Sequence, residues 1–298
     1  MVATLEWWAK YLLIVAIPYF LILMAVEVGV IRRARRADVQ GYEWRDSATS
    51  ITLGLIKLIM LAVCAGYTAV AFAWVYKHRV FTLSPFTWWT WLLLFVADDF
   101  TYYWYHRFAH RVRVLWCEHV NHHSSQHFNL STALRQSTLG PAFIFVYWLP
   151  LAWIGFHPLA IAVQLGISLV YQYWIHTETV KSLGWLEHVL NTPSHHRVHH
   201  GSNGIYLDRN YAGILIVWDK LFGTFQPERA DTPVRYGLVH DIHTFNLFRV
   251  IFHEVGHMLS RARRAKGLRN KLGWIFGPPE WTPDGPAWPS DHPRYKAP

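Results

Sequence analysis

The chain has 298 residues, 52% hydrophobic and 16% aromatic, but only 16% charged. Soluble domains carry about 25% charged residues, so this balance excludes an ordinary soluble enzyme and points to a membrane protein. Lys and Arg exceed Asp and Glu by nine. These bases border apolar segments, so anionic lipid headgroups, not nucleic acid, are the expected counter-surface. Cys64 and Cys117 form neither a CxxC pair nor a disulfide framework, and give no sign of an extracellular fold.

A membrane helix needs about 20 mostly apolar residues. Residues 7–31 supply the first, interrupted by Glu27 near its end. The early sequence has one base, Lys10, and no small-residue cleavage site, so this stretch reads as a retained anchor. Arg32, Arg33, Arg35 and Arg36 follow at once. Residues 58–76 and 80–97 contain no charge and predict a second and a third span. Residues 136–175 run for forty positions without Asp, Glu, Lys or Arg. Gly155-Phe-His-Pro158 breaks that run into a hairpin of two further spans. Trp and Tyr crowd many of the ends, as at a membrane interface.

Five spans are therefore expected. The arginine block places the end of the first on the cytoplasmic side. Counting onward, residues 106–127, His176 and residues 195–200 all fall on that same side. Beyond residue 177 the chain turns polar. Thr192-Pro193 and Gly201 frame a short helix. Residues 210–225 form an aromatic stretch buried against the cap or lying in the interface. Residues 245–266 predict an amphipathic helix with a basic end, suited to a membrane surface. The Pro- and Trp-rich tail from Gly277 reads as irregular. The expected fold is all-α: a multi-span helical membrane protein whose cytoplasmic helical cap carries a histidine-rich dinuclear metal site. The expected domains are an anchor (1–84), a catalytic domain (85–225) and a C-terminal helix with its tail (226–298).

Three histidine clusters carry the chemistry. They are His106-Arg-Phe-Ala-His110, His119-Val-Asn-His122-His123, and His196-Arg-Val-His199-His200 with His195 just ahead. His176 stands apart, four residues after Gln172. On a helix, positions i, i+3 and i+4 share a face. HxxxH thus aims two imidazoles at one point, and HxxHH adds a third that can reach a second ion. Nine clustered histidines exceed the four ligands of a structural zinc. Imidazole alone does not choose among zinc, copper, iron and nickel.

The order HxxxH, HxxHH, HxxHH around hydrophobic hairpins resembles the fatty acid hydroxylase/sterol desaturase superfamily of membrane di-iron oxygenases, over about residues 85–225. The stretches from Glu118 to Gln136, Tyr171 to Thr177 and Asn191 to Gly201 look like its alkylglycerol monooxygenase branch. That resemblance implies two iron ions, dioxygen and a membrane lipid substrate, either an ether lipid or a hydroxylatable aminolipid. It implies an external reductant: tetrahydrobiopterin or an electron-donor protein. No GxGxxG or CxxCH motif offers an internal electron source. By position it implies the ligands His106, His110, His119, His122, His123, His176, His196, His199 and His200. Some relatives hold a histidine where Gln172 stands, so Gln172 either holds water on the metal or lines the pocket. His195 either replaces a ligand or supports one.

Asp98, Asp99, Glu118, Glu178 and Glu187 are candidates to accept the far N–H of ligating rings. For Asp98 and Asp99 the alternative is interfacial charge at the end of a span. Arg135 and Gln136 read as headgroup contacts or interfacial snorkels. His253-Glu254-Val-Gly-His257 matches the HExxH zinc-protease pattern, but no third ligand is evident. A sterol or fatty acyl desaturase and a non-catalytic metal carrier remain as alternatives. His78, His127, His157, His188, His240, His243 and His292 read as ordinary histidines. The sequence does not fix the oligomeric state.

Overall fold

Ten α-helices and four short 3-10 turns make up the computed structural model, which describes residues 2–34, 38–289 and 291–293. The described residues contain no strand, only one isolated antiparallel bridge from Leu190 to Leu215. Helix α1 (Val2–Arg33) ends in Arg32 and Arg33, cations placed where the helix dipole favours them. Arg35 and Arg36 lie outside the described residues. Helix α2 (Trp44–Lys77) starts on Glu43, whose carboxylate accepts the Asp46 amide at 2.6 Å. Ile14–Arg33 and Trp44–Lys77 are the two stretches long and apolar enough to cross a membrane. Their large side chains face outward: Ile22 is 62% exposed and Val63 and Val70 are each 69% exposed. A helix in a soluble core would bury them.

The remaining expected spans are shorter or broken. Helix α3 (Trp88–Arg111) begins eight residues after the charge-free run 80–97 does. The amides of Val80, Phe81 and Leu83 instead donate to the carbonyls of Trp153, Ile154 and Gly155. Pro85 also disfavours helical geometry at Ser84. Only residues 88–97 of that run are helical, a rise of roughly 15 Å at about 1.5 Å per residue. Residues 136–157 do not form a regular arm either. They fold as 3-10 turns Gly140–Ala142 and Ile144–Trp148, then helix α5 (Leu149–Ile154). Pro141 and Pro150 each remove a backbone donor there. Gly155 turns the chain at φ 134°, and a Cβ on it would sit 2.3 Å from the Phe81 carbonyl oxygen. Helix α6 (Pro158–Trp174) completes the hairpin. It lies against α1 so closely that a Cβ on Gly166 would come within 2.5 Å of Leu12 Cδ2.

A core of Leu94, Trp148, Leu151, Phe156 and Ile161 joins α3, α5 and α6. The other helices form a more polar cap: α4 (Arg113–His123), α7 (Pro193–His199), α8 (Val217–Leu221), α9 (Leu247–Arg264) and α10 (Leu268–Phe276). Helix α7 starts at Pro193 and ends before Gly201, as the sequence indicates. The Thr192 hydroxyl, however, bonds Glu187 and does not cap the helix. Residues 210–225 are largely buried, with Tyr211, Ile216 and Asp219 at 1% exposure or less. The described residues beyond α10 are irregular.

Candidate metal centre

The last turns of α3 carry His106 and His110, one helical turn apart. Helix α4 carries His119, His122 and His123. Helix α7 carries His196 and His199, with His200 at its C-cap, and His176 follows directly on the C-cap of α6. None of these nine residues is more than 7% exposed. They sort into two groups. His106, His110, His119, His123 and His199 form one; His122, His176, His196 and His200 form the other. In each group one nitrogen per ring lies within 4.8 Å of all the others.

Hydrogen bonds fix which nitrogen faces inward. The Nδ1 atoms of His106, His122, His176 and His199 lie 2.7–3.0 Å from the carbonyl oxygens of Tyr211, Arg135, Gln172 and Arg209. A carbonyl only accepts, so each Nδ1 carries the proton, and in a neutral imidazole the other nitrogen is then bare. Burial, reinforced by neighbouring rings, holds His122, His123 and His200 neutral, well below their usual pKa. Burial brings His199 down to about 4 and His176 to about 3.

Bare nitrogens therefore face one another. His122 Nε2 and His176 Nε2 are 3.3 Å apart, and neither has a proton to share. The bare Nε2 of His176 also lies 2.9 Å from His196 Nε2, and that of His106 3.0 Å from His119 Nε2, contacts that a proton on His196 or His119 would serve in the metal-free chain. The Nε2 atoms of His110, His199 and His200 are buried without any partner. Buried polar atoms are ordinarily satisfied, and lone pairs crowded at such distances repel. A cation between them removes both problems. Bonds of about 2.1 Å from metal to imidazole place adjacent ligand nitrogens roughly 3.0–3.4 Å apart. The donor set fits two transition-metal ions.

The fatty acid hydroxylase family model matches residues 91–224. An alkylglycerol monooxygenase of Danio rerio is 42% identical over 274 residues, covering 91% of this chain and 60% of the relative. The Homo sapiens alkylglycerol monooxygenase is 42% identical over 272 residues, with the same two coverages. The chain carries a fatty acid hydroxylase domain. It is a homologue of the alkylglycerol monooxygenases and spans about three fifths of their length. An ornithine lipid hydroxylase of Rhizobium tropici is 31% identical over 141 residues, 44% of this chain and 40% of that one. No solved structure matches.

Within this hydroxylase domain the other candidates fall differently. Gln172 is buried beside the four-ring group, but its amide nitrogen donates to Ser168 Oγ at 3.0 Å. His195 is buried against Phe225 and belongs to neither group. The five carboxylates expected to brace the rings do not touch them. Asp98 accepts from Trp148 Nε1 at 2.7 Å and Asp99 from the Ile214 and Leu215 amides and Trp218 Nε1. Glu118 accepts from the Tyr105 hydroxyl, Glu178 from the Gln40 amide, and Glu187 from the Leu183 amide. Peptide oxygens take the expected role, because loops can bring a carbonyl to a buried ring without burying a second charge. The nearest carboxylate is Asp208, 4.0 Å from His110 Nδ1.

Arg135 is no interfacial snorkel. It is 1% exposed, paired with Asp46, and bonded to Ser50 and Ser124. Gln136 accepts from Lys57 Nζ at 2.7 Å. In the HExxH stretch Glu254 pairs with Arg113 at 3.2 Å and with His257 at 3.5 Å, and His253 Nδ1 lies against backbone carbonyls of its own helix. No metal-binding group among the described residues includes His253 or His257.

Two carboxylates act on the centre through one intermediate each. Asp219 accepts the amides of Tyr211 and Ala212 at 2.8 Å, and so holds the carbonyl that orients His106. Glu27, on α1, takes hydrogen bonds from the Tyr42 and Thr177 hydroxyls and the Leu130 amide, and so ties α1 to the residue after His176. The sequence signalled Glu27 only as a charge inside an apolar run, which by default marks a functional or structural pairing. Nothing local signalled Asp219.

Proposed function

We propose that the chain is a membrane-embedded, dioxygen-dependent monooxygenase that uses two iron ions and hydroxylates a lipid C–H bond. The nine named histidines are its metal ligands. The favoured substrate is an alkylglycerol-type ether lipid, as the names of the relatives suggest. The observation that carries this is the pair of buried imidazole groups whose bare nitrogens face one another. The working division is an anchor (1–84), a catalytic domain (85–225) and a C-terminal region (226–298). The outward apolar faces of α1 and α2 support a position in lipid, and in this reading α3 and the 136–175 hairpin add shorter membrane-embedded elements. Arg32 and Arg33 favour a cytoplasmic position for the cap.

When bound, the irons supply the two-electron activation of dioxygen. The chain's own part is positional. The carbonyls of Tyr211, Arg135, Gln172 and Arg209 fix ring orientation. Burial keeps protons off the ligand nitrogens and water out of the centre. Gln172 lines the four-ring side. Overall, one lipid C–H bond, dioxygen, two electrons and two protons give one C–OH and one water. The electrons come from an external donor, either tetrahydrobiopterin or an electron-transfer protein. If the oxidised carbon adjoins an ether oxygen, the hemiacetal breaks to an aldehyde and a free alcohol.

The test supplies purified full-length protein with iron, a reductant, an alkylglycerol lipid and labelled dioxygen. One labelled atom in the hydroxylated product or released aldehyde is expected. Label arriving only from water, or turnover without dioxygen, refutes the reading. Loss of two hydrogens without oxygen gain makes it a desaturase.

A further inference from the structure

Helix α9 presents three faces to three surroundings. Val250, Met258 and Ala262 are buried on the side that packs against α4, with Met258 Sδ 3.8 Å from Cys117 Sγ. A second stripe holds Phe248, Phe252, Val255 and Leu259, at the spacing of a single helical face. Phe248 is 71% exposed and Leu259 55%. Helix α10 adds the exposed Leu268, Leu272 and Phe276. Beside these apolar groups stand Arg249, Arg263, Arg264, Lys266, Arg269 and Lys271, all exposed. None of them is paired with a carboxylate among the described residues.

Residues 245–276 hold seven Lys and Arg and one acid, Glu254, and so carry six of the nine net charges of the chain. Glu254 is turned inward onto the buried Arg113, so the outward face carries basic and apolar groups but no acid. That combination selects its occupant. Nucleic acid would meet the bases and leave the aromatic stripe in water. An apolar protein groove would leave the bases uncompensated. A bilayer surface with acidic headgroups satisfies both at one depth.

We propose that α9 and α10 form an interfacial plate that seats on an anionic lipid leaflet. The plate rests on α4, the helix that carries His119, His122 and His123, so leaflet charge sets how firmly the metal-bearing cap is held over the membrane. This deepens the membrane reading proposed above and rests on it.

The test uses the full chain with Leu259→Cys carrying a bimane label; Cys64 and Cys117 are each 4% exposed and stay unlabelled. The protein is reconstituted in nanodiscs of phosphatidylcholine alone or with phosphatidylserine. In the acidic discs, brominated acyl chains should quench the label and aqueous acrylamide should not. Adding Arg263→Glu and Arg264→Glu should reverse both results. A label open to acrylamide in both discs overturns the proposal, as does bromine quenching that ignores disc charge and charge reversal. Shielding from acrylamide without bromine quenching marks a protein contact and also overturns it. The readout needs no turnover, so a failed oxygenase assay leaves it standing, whereas a chain that does not enter nanodiscs refutes the membrane reading itself.

Discussion

The two imidazole groups share rings from α4 and α7, but one adds α3 and the other His176 beyond α6, and they are supported from opposite directions. The five-ring group leans on the cap: His106 on Tyr211, His199 on Arg209, and His110 near Asp208. The four-ring group leans on the apolar layer. His122 is steered by the carbonyl of Arg135, whose guanidinium pairs with Asp46 on α2. His176 is steered by Gln172 on α6 and adjoins Thr177, which is tied to Glu27 on α1. The groups also differ in donor number. With one ring fewer, the four-ring side has more room for a non-protein ligand. A centre braced from both sides is complete when the apolar helices and the cap are docked together.

Removing a ring breaks this comparison most severely. His123→Ala should cost the five-ring group its ion and His196→Ala the four-ring group its own, seen as metal content falling from about two to about one per chain. Activity should fall by more than the roughly 10–100-fold typical of losing an outer partner. Equal metal in both variants and the parent would refute the assignment. Next in size is Arg135→Met, which strands the buried Asp46. Breaking a buried pair from one side costs about 3–5 kcal/mol, read as an earlier unfolding midpoint in detergent, with the four-ring ion lost first.

Asp219→Asn sharpens the contrast from the cap side. It weakens the grip on the Tyr211 and Ala212 amides, so metal affinity should drop by about 10–100-fold at the five-ring group only. A matching drop at both groups would show that the supports are not separate. Acid should act on the metal-free chain through the rings themselves. Above pH about 6.5 folded and unfolded imidazoles are both neutral. Below it the unfolded chain binds protons that the fold refuses, until the folded values near 4 for His199 and 3 for His176 are reached. Stability should therefore decline across pH 6.5 to 4, and a flat pH–stability curve over that window would contradict the bare-nitrogen geometry. The smallest effect is expected from Glu254→Gln, which should leave turnover within about twofold, since an HExxH match on a helix makes no site without further ligands. Loss of activity there would revive hydrolytic zinc.

Eight of the nine rings are legible because their information is local, helical spacing putting them on common faces, whereas His176 stands alone in the sequence and enters only through the family resemblance. The supports of the rings are not legible. A peptide oxygen such as that of Tyr211 reaches His106 across 105 residues, and any residue type could have supplied it. Charge-free runs show where apolar sequence lies but not its conformation, so residues 80–87 and 136–148 look helical in the sequence and are not. The signals against this, Ser84-Pro85 and Gly140-Pro141, were present and outweighed by length. Arg135 looked interfacial because its partner, Asp46, lies 89 residues away.

The reliance on peptide oxygens has a consequence for how such a centre tolerates mutation. The carbonyls at Arg135, Gln172, Arg209 and Tyr211 belong to the backbone, which every residue type shares. A substitution there leaves the acceptor in place and can harm the ring only by shifting the chain. At Gln172 and Arg209 the ring's bearing is thus uncoupled from side-chain identity, so the lining beside the rings can vary without first dismantling the imidazole groups.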